Sequence, residues 1–248
     1  MSGLTEDGLL GGRLRLLQPA AGYRVAIDPV LLAAAVPAKA GDHVLDAGAG
    51  TGAAALCLVR RVEACRVTGI EIDVPTAELG ARNALGNDLS TAVEIVTGDL
   101  LSPPAPTRTT LFDHVMTNPP FVEAGRGTRP PSADRARSHV ASVEIGDWLT
   151  ACLRRLRSRG TLTLIHRADR LAAILSALDG PAGDIVVCPL WPKASAPEAS
   201  RVLVRARKGA GGCFRLARGL VLHEEDGSFT RAADMVLREG AALDLLEC

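Results

Sequence analysis

The segment from residue 43 to residue 52 reads HVLDAGAGTG, and an alanine-rich run follows it to residue 62. The apolar start suits a buried strand, the glycines suit a tight turn, and the alanine-rich run suits a helix. Glycine lets a backbone approach a ligand closely, and the first N–H groups of a helix are free to bind acceptors. This order of elements predicts the nucleotide-binding opening of an α/β fold.

Acidic residues mark the ends of three successive predicted strands. Asp46 ends the first, Glu71 ends a second strand that starts at residue 66, and Asp99 follows a third at 92–96. Glu71 lies 19 residues past Gly52 (71 − 52), where nucleotide-binding folds carry the acid that binds ribose hydroxyls. Each acid could simply cap the next helix. A series of them separated by glycines instead favours one ligand site at one edge of a parallel sheet.

The fourth predicted strand stops at Asn118, Pro119, Pro120 and Phe121. Neither proline can donate to a sheet, and Pro119 keeps Asn118 out of the helical region. The Asn118 side-chain carbonyl and the Pro119 backbone carbonyl could each accept one N–H of an amino group, and Phe121 could stack on a ring behind it. The alternative is an ordinary turn with Phe121 in the core.

Composition limits the remaining classes. The chain has 248 residues, 47% of them hydrophobic, and zero formal net charge, so overall charge does not indicate a polyanion partner. The acidic start does not resemble a signal peptide, and the longest apolar run ends at Pro37, too short to span a bilayer. Six scattered cysteines without a Cys-x-x-Cys pair predict free thiols, a cytoplasmic location and no metal.

Two nucleotide cofactors compete for the glycine-rich turn. Gly48, Gly50 and Ala53 satisfy the loose dinucleotide pattern, which would make the chain an NAD-binding oxidoreductase. Nothing downstream suggests hydride transfer. S-adenosylmethionine fits the acids better, with Asp99 at the adenine amine, Glu71 at the ribose and residues 46–52 at the amino-acid end.

These motifs resemble, in order and spacing over residues 41–121, those of class I S-adenosylmethionine-dependent amino-methyltransferases. A finer likeness is to the bacterial tRNA-valine adenine-N6 methyltransferase family. It is carried by residues 22–24, 27–32, 135–137 and 201–204. The chain departs from that family in a proline-rich loop at residues 127–132.

The resemblance implies an α/β fold whose seven-stranded, mostly parallel sheet has helices on both faces. It implies a methyltransferase domain at 41–208, with an N-terminal hairpin and helix at 1–40 and a strand–helix appendage at 209–248. The implied catalytic residues are Asn118, Pro119 and Phe121. The implied S-adenosylmethionine-binding residues are Asp46, Gly48, Gly50, Glu71, Ile72, Asp99, Leu100 and Asn118.

Basic residues offer possible RNA contacts. The arginine-bearing loop at 122–142 could be a lid that meets RNA phosphates or only a solvated loop. A second basic cluster could be an RNA face or the protected edge of a sheet. It consists of Lys193, Arg201, Arg205, Arg207 and Lys208. Asp28 is predicted to cap a helix, and His166 is interpreted as a buried or capping histidine rather than a base.

The favoured function is N6-methylation of an adenine in RNA, with tRNA the expected substrate. Alternatives within the same chemistry are protein glutamine N5-methylation, DNA adenine methylation and ribosomal RNA guanine N2-methylation. An NAD-binding oxidoreductase and a non-catalytic cofactor-binding scaffold are the alternatives from other classes. The sequence leaves open which RNA is modified, at which nucleotide, and the oligomeric state.

Overall fold

The structure is a computed structural model and describes residues 3–20, 25–120 and 143–248. Its centre is a sheet of seven strands in the order β8-β9-β7-β6-β3-β4-β5, in which only β9 runs against the others. The strands are β3 His43–Ala47, β4 Arg66–Glu71, β5 Val93–Thr97, β6 Phe112–Thr117, β7 Leu156–Arg167, β8 Ala182–Lys193 and β9 Arg201–Lys208. The expected seven-stranded, mostly parallel sheet is therefore confirmed.

Short strands extend this sheet and precede it. Both β10 (Arg215–Leu216) and β11 (Leu220–His223) pair in parallel with the outer side of β8. At the start of the chain, β1 (Leu4–Leu9) and β2 (Leu14–Pro19) form a separate antiparallel hairpin. This hairpin lies within residues 1–40, the segment in which the family resemblance implies a hairpin and a helix.

Helices cover both faces of the sheet, as expected. One hydrophobic cluster contains α1 (Asp28–Ala35), α2 (Ala53–Arg61), the hairpin and α6 (Arg231–Leu237). A second cluster, on the other face, contains α4 (Ile145–Arg155) and α5 (Leu171–Leu178). The remaining helix, α3 (Val74–Gly86), begins at a proper cap, because the Asp73 carboxylate accepts the Thr76 backbone N–H. Among the described helices, none combines the length and apolar character needed to cross a bilayer.

One expectation about an individual side chain is wrong. Asp28 is the first residue of α1 and makes no cap; its carboxylate pairs instead with Arg201 at 3.1 Å, 173 residues away. The sulfur atoms of Cys188 and Cys248 are in contact, whereas Cys57, Cys65 and Cys152 are buried free thiols.

Four of the five residues of the second basic cluster lie on the interior strand β9, so protection of a sheet edge is not their role; the fifth, Lys193, is the last residue of β8. β9 pairs with β7 on one side and with β8 on the other. Its cations meet acceptors within the protein: Arg205 lies 3.7 Å from Asp244, and the Lys208 ammonium donates to the Leu156 carbonyl at 2.7 Å. These contacts favour a structural role for the cluster over an RNA-binding role.

One buried amide joins the hairpin to the core of the domain. The Asn83 side chain is 1% exposed, accepts the Leu17 backbone N–H at 2.8 Å and donates to the Leu17 and Thr51 carbonyls. One turn later, the more exposed Asn87 makes matching bonds to the backbone of Arg15. Asn83 of α3 and Asn87, the residue after this helix, therefore both hold β2, but only Asn83 does so away from water.

We expect Asn83→Ala to lower the free energy of unfolding more than Asn87→Ala does. Each buried group left without a partner costs about 1–3 kcal/mol, whereas water can replace the lost bonds at residue 87. Urea unfolding of the two variants measures the difference. Equal losses would show that the burial of Asn83 does not matter.

Candidate active site

The strand register brings the predicted acids and Asn118 to one edge of the sheet. Ala47, the last residue of β3, is opposite Ile70 of β4 and Thr117 of β6. Glu71, the last residue of β4, is opposite Thr97 of β5. The chain segments that leave these four parallel strands therefore all start from the same rim, where open α/β sheets bind ligands.

The glycine loop, residues 48–52, forms the first part of this rim. Gly48, Gly50 and Gly52 have φ values of 78°, 56° and 82°, a region that side-chain-bearing residues rarely adopt. The Gly48 and Ala49 N–H groups both donate to the Ile70 carbonyl at 2.9 Å. The loop is thereby bent back over β4, and a side chain at Gly50 would meet no atom within 4 Å.

The Glu71 side chain holds the glycine loop in place through hydrogen bonds. One carboxylate oxygen accepts the Gly50 N–H and the other accepts the Asp73 N–H, both at 2.9 Å. A carboxylate oxygen has two lone pairs, so each retains capacity for another donor. Glu71 thus has a structural task that the sequence did not indicate, and it can still accept hydrogen bonds from a ligand.

Asp46 is the most unusual titratable group of the rim. It is 2% exposed, and its Oδ2 atom has no hydrogen-bond partner among the described residues. Burial raises the pKa of this carboxyl to about 7, the Ala55 N–H opposes the rise, and the charge of Glu71 adds to it. A buried acceptor of this kind suits a cationic ligand group that would restore its charge.

The third acid lies after β5. The Asp99 carboxylate accepts the Leu101 N–H at 2.9 Å, which closes a tight turn at the rim. Gly98 is required before it, since an added Cβ would come within 2.6 Å of Pro104. Leu100 is 4% exposed and Ile72 is half-buried, so both predicted cofactor residues supply apolar surface beside the acids.

The Asn-Pro-Pro turn, residues 118–120, directly follows β6. Pro119 is buried and Asn118 is half-buried, but the Asn118 Oδ1 atom is shielded and has no partner among the described residues. A shielded carbonyl that lacks a donor is costly unless a ligand supplies one. Phe121 and the loop at 122–142, like residues 22–24 of the family likeness, lie outside the described residues.

A cavity of about 250 Å³ opens beside this turn. Its apolar wall consists of Pro119, Pro120, Val143, Ile145 and Trp148, and its polar part of Glu144, His166 and Arg170. His166 is 4% exposed and accepts the Arg167 N–H on Nδ1. Burial lowers the pKa of this imidazole, so it is neutral at pH 7, in line with its interpretation as a buried histidine.

An open groove of about 630 Å³ lies at the end of β7 and the start of β9. Its arginines are balanced by acids: Arg167 pairs with Asp169 at 3.1 Å, and Arg201 pairs with Asp28. The groove is polar, and because each of these arginines is paired with an acid, the pairs add no net positive charge to it. Its electrostatics alone therefore do not select a polyanion.

Two residues at the rim, Thr117 and Trp148, are not predicted from the sequence. The helical spacing of Trp148 predicts only an apolar position, yet its indole N–H donates to the Thr117 hydroxyl at 2.9 Å. The position of Thr117 directly before Asn118 was the available signal. No sequence pattern indicates its contact with a side chain 31 residues away.

Metal binding has no support in the part of the chain that the structure describes. Within residues 3–20, 25–120 and 143–248, no three His, Cys, Asp or Glu side chains are grouped so that they could hold an ion.

The family model described as the methyltransferase small domain matches residues 24–169, more than half of the chain. The chain belongs to the methyltransferase small domain family. The match spans the glycine loop, the three acids and the Asn-Pro-Pro turn.

Curated relatives agree with the small-domain assignment. The chain is 30% identical over 211 residues to a tRNA1(Val) (adenine(37)-N6)-methyltransferase of Aeromonas hydrophila, covering 84% of this chain and 85% of that protein. It is 33% identical over 160 residues to the protein of the same name from Porphyromonas gingivalis, covering 62% of each. The expected resemblance to this group is confirmed.

Solved structures place the small domain in the class I methyltransferase fold. A predicted O-methyltransferase of Agrobacterium tumefaciens matches with a TM-score of 0.71 and 28% identity, over 88% of this chain and 98% of that one. An S-adenosylmethionine-dependent O-methyltransferase of Thermotoga maritima matches with a TM-score of 0.55 over 78% of this chain and 69% of that one; its 17% identity shows the fold alone. The protein is an S-adenosylmethionine-dependent methyltransferase, and its predicted assignment to the amino-methyltransferases is confirmed.

The raised pKa of Asp46 makes a specific prediction about stability. Its folded value of about 7 exceeds the ordinary 3.8, so between pH 4 and pH 7 the folded protein retains a proton that the unfolded chain releases. This group's contribution to the free energy of unfolding therefore falls as pH rises, by about 1.4 kcal/mol per pH unit, and is constant above pH 7.

Asp46→Asn removes this titration. We expect the stability of the variant relative to the unsubstituted protein to increase from pH 4 to pH 7 and then to level off. Urea unfolding at closely spaced pH values measures the difference, in which all other titrations cancel. A difference that does not change with pH would contradict the assignment.

Proposed function

We propose that the protein methylates N6 of an adenine in RNA, with tRNA as the substrate. The observation that carries this proposal is the shielded Asn118 Oδ1 atom, which has no partner among the described residues and lies where β6 ends at the rim. A fixed carbonyl of this kind suits an N–H donor. The hydroxyl group on which an O-methyltransferase acts has only one hydrogen to donate, whereas an exocyclic amine has two.

The Asn-Pro-Pro turn explains how such an amine would be activated. The Asn118 side-chain carbonyl and the neighbouring Pro119 backbone carbonyl would each accept one hydrogen of the NH2 group. Both hydrogens would then be drawn away from the nitrogen lone pair, which becomes available for attack. Preorganised acceptors achieve this without a strong base, and proline fixes the backbone that carries them.

The residues of the rim fit the proposed cofactor. Asp46 Oδ2 lacks a partner within the described part of the chain, and the open space over Gly50 allows a ligand to approach the backbone. We propose that Asp46, Gly48 and Gly50 hold the amino-acid end of S-adenosylmethionine, that Glu71 with Ile72 holds the ribose, and that Asp99 with Leu100 holds the adenine. When bound, the cofactor supplies an electrophilic methyl carbon on a sulfonium.

A purine base suits the cavity beside the turn. The apolar wall that includes Pro119, Pro120 and Trp148 provides flat contacts, while the neutral His166 adds a polar edge. Phe121 follows the turn in sequence and is proposed to stack on the same base. A base must leave its stack to reach such a site, which costs a few kcal/mol and least in an unpaired loop.

Transfer RNA satisfies that condition, and the relatives from Aeromonas hydrophila and Porphyromonas gingivalis are named for adenine 37 of tRNA1(Val). Their names support tRNA as the substrate of this chain, and a cytoplasmic location follows from it. The planar side-chain amide of glutamine would fit the same carbonyls, so a protein substrate is the alternative that the experiment must separate.

The decisive experiment incubates the protein with methyl-labelled S-adenosylmethionine and separate fractions of tRNA, ribosomal RNA, DNA and protein. Label recovered as N6-methyladenosine from tRNA supports the proposal. Label on glutamine would show that the substrate is a protein, and label on guanine would show that the target base is not adenine. An NAD-dependent rise in thermal stability without any such rise from S-adenosylmethionine would contradict the cofactor.

Asn118→Ala is expected to reduce methyl transfer by a factor of about 100 or more, because it removes one of the two acceptors of the amine. The variant should bind S-adenosylmethionine with unchanged affinity, measured by calorimetry, because the cofactor is proposed to be held chiefly by the other three strand ends. Asn87→Ala is the matched control for the same chemical change outside the rim. Loss of cofactor binding along with transfer would contradict this division of roles.

A further inference from the structure

Thr117 and Ala47 are the last paired residues before the chain separates into the two halves of the site, the glycine loop and the Asn-Pro-Pro turn. They are opposite each other in the register of β3 and β6, and each is the last residue of its strand. One residue further on, the β3 chain becomes the glycine loop at Gly48 and the β6 chain becomes the Asn-Pro-Pro turn at Asn118. Any movement here changes the distance between the two halves.

A buried chain of hydrogen bonds crosses this point. The Thr117 hydroxyl donates to the Ala47 carbonyl at 2.7 Å and accepts the Trp148 indole N–H at 2.9 Å. Thr117 and Ala47 are 0% exposed and Trp148 is 5% exposed, so water does not compete for these bonds. Buried hydrogen-bond chains of this kind restrict their members to one arrangement.

The Trp148 ring touches both halves directly. An added Cβ at Gly48 would lie only 3.1 Å from Cζ2 of this ring, so the ring packs against the bare backbone of the glycine loop. The same side chain forms part of the cavity wall with Pro119 and Pro120. Trp148 therefore lies between the loop proposed to hold the cofactor and the turn proposed to hold the amine.

We propose that Thr117 and Trp148 form a positioning pair that sets the separation of the methyl donor and the target nitrogen. The pair acts through Gly48 and Asn118: Thr117 lines neither ligand site, whereas Trp148 also lines the cavity proposed for the base. This inference rests on the proposed function in assuming that Asn118 holds the target amine. It adds that the transfer step, rather than the affinity for either ligand, depends on the hydrogen bonds of Thr117.

The kinetic test compares Thr117→Val with Thr117→Ser. Valine keeps the shape but deprives the Ala47 carbonyl and the Trp148 N–H of their partner, whereas serine keeps the hydroxyl. A misplacement of about 1 Å can cost 100-fold in rate, so we expect kcat of the valine variant to fall by about 10- to 100-fold. The KM values of the valine variant for S-adenosylmethionine and for the methyl acceptor should each change by less than about threefold. Thr117→Ser should retain most of kcat.

Trp148→Phe tests the other end of the chain. It should also lower kcat, although its KM for the acceptor can change because Trp148 lines the cavity proposed for the base. The double variant with Thr117→Val should lose no more kcat than the more impaired single variant, because both substitutions remove the same chain of bonds. An unchanged kcat in Thr117→Val would overturn the inference. A loss of kcat that also occurs in Thr117→Ser would overturn it as well. So would a double variant whose fold-loss in kcat equals the product of the two single losses.

A fluorescence readout is independent of turnover. The protein has two tryptophans, and Trp191, on β8 three strands from β6, donates its indole N–H to the Arg218 carbonyl. In Trp191→Phe only Trp148 emits, and S-adenosylmethionine should change its emission. In Trp148→Phe the added cofactor should produce no change. The reverse pattern would show that Trp148 does not sense the glycine loop.

These measurements separate the two proposals. The kinetic comparison is made on whichever fraction accepts the labelled methyl group. Absence of label in RNA then contradicts the proposed substrate alone, whereas equal rates for Thr117→Val and the unsubstituted protein contradict the positioning pair alone. If no fraction accepts label, the fluorescence pattern still decides whether Trp148 is coupled to the cofactor loop.

Discussion

The pairing of β3 with β4 on one side and with β6 on the other is the constraint on which the site depends. Ala47 is opposite both Ile70 and Thr117, so the ends of three strands are level. A shift by one residue would turn Asp46 to the other face of the sheet and would separate the glycine loop from Asn118. The register of the strands therefore decides which side chains meet at the site.

The three acids at this rim have different environments, although the sequence presents them as equivalents. Asp46 is buried with one oxygen lacking a described partner, so its ionisation is costly. Glu71 already accepts two backbone N–H groups and fastens the glycine loop. Asp99 closes its own turn by accepting the Leu101 N–H. Only the first combines deep burial with an unsatisfied oxygen, which is why the pH dependence of this protein should centre on Asp46.

The sequence was sufficient for the parts of the fold that repeat a local pattern. Alternating apolar residues, glycine turns and the spacing between Gly52 and Glu71 predicted the parallel core, the helices on both faces and the rim. Prediction failed where the partner is distant in sequence. Asp28 pairs with Arg201 rather than capping its helix, and β9 is an interior strand whose cations bond within the protein. Neither contact leaves a periodic signal.

Trp148 shows the same limit within the site. Its helical spacing predicts a core residue, and it is one, but its indole N–H and its ring edge act in two different contacts. Tryptophan is suited to this because it is a large rigid apolar group with a single polar donor. Placed in the first turns of α4, it reaches both the glycine loop and the cavity beside the Asn-Pro-Pro turn. The two ligands of a transfer reaction must meet at a fixed distance. A rigid side chain packed against both binding segments maintains such a distance better than two loops anchored separately.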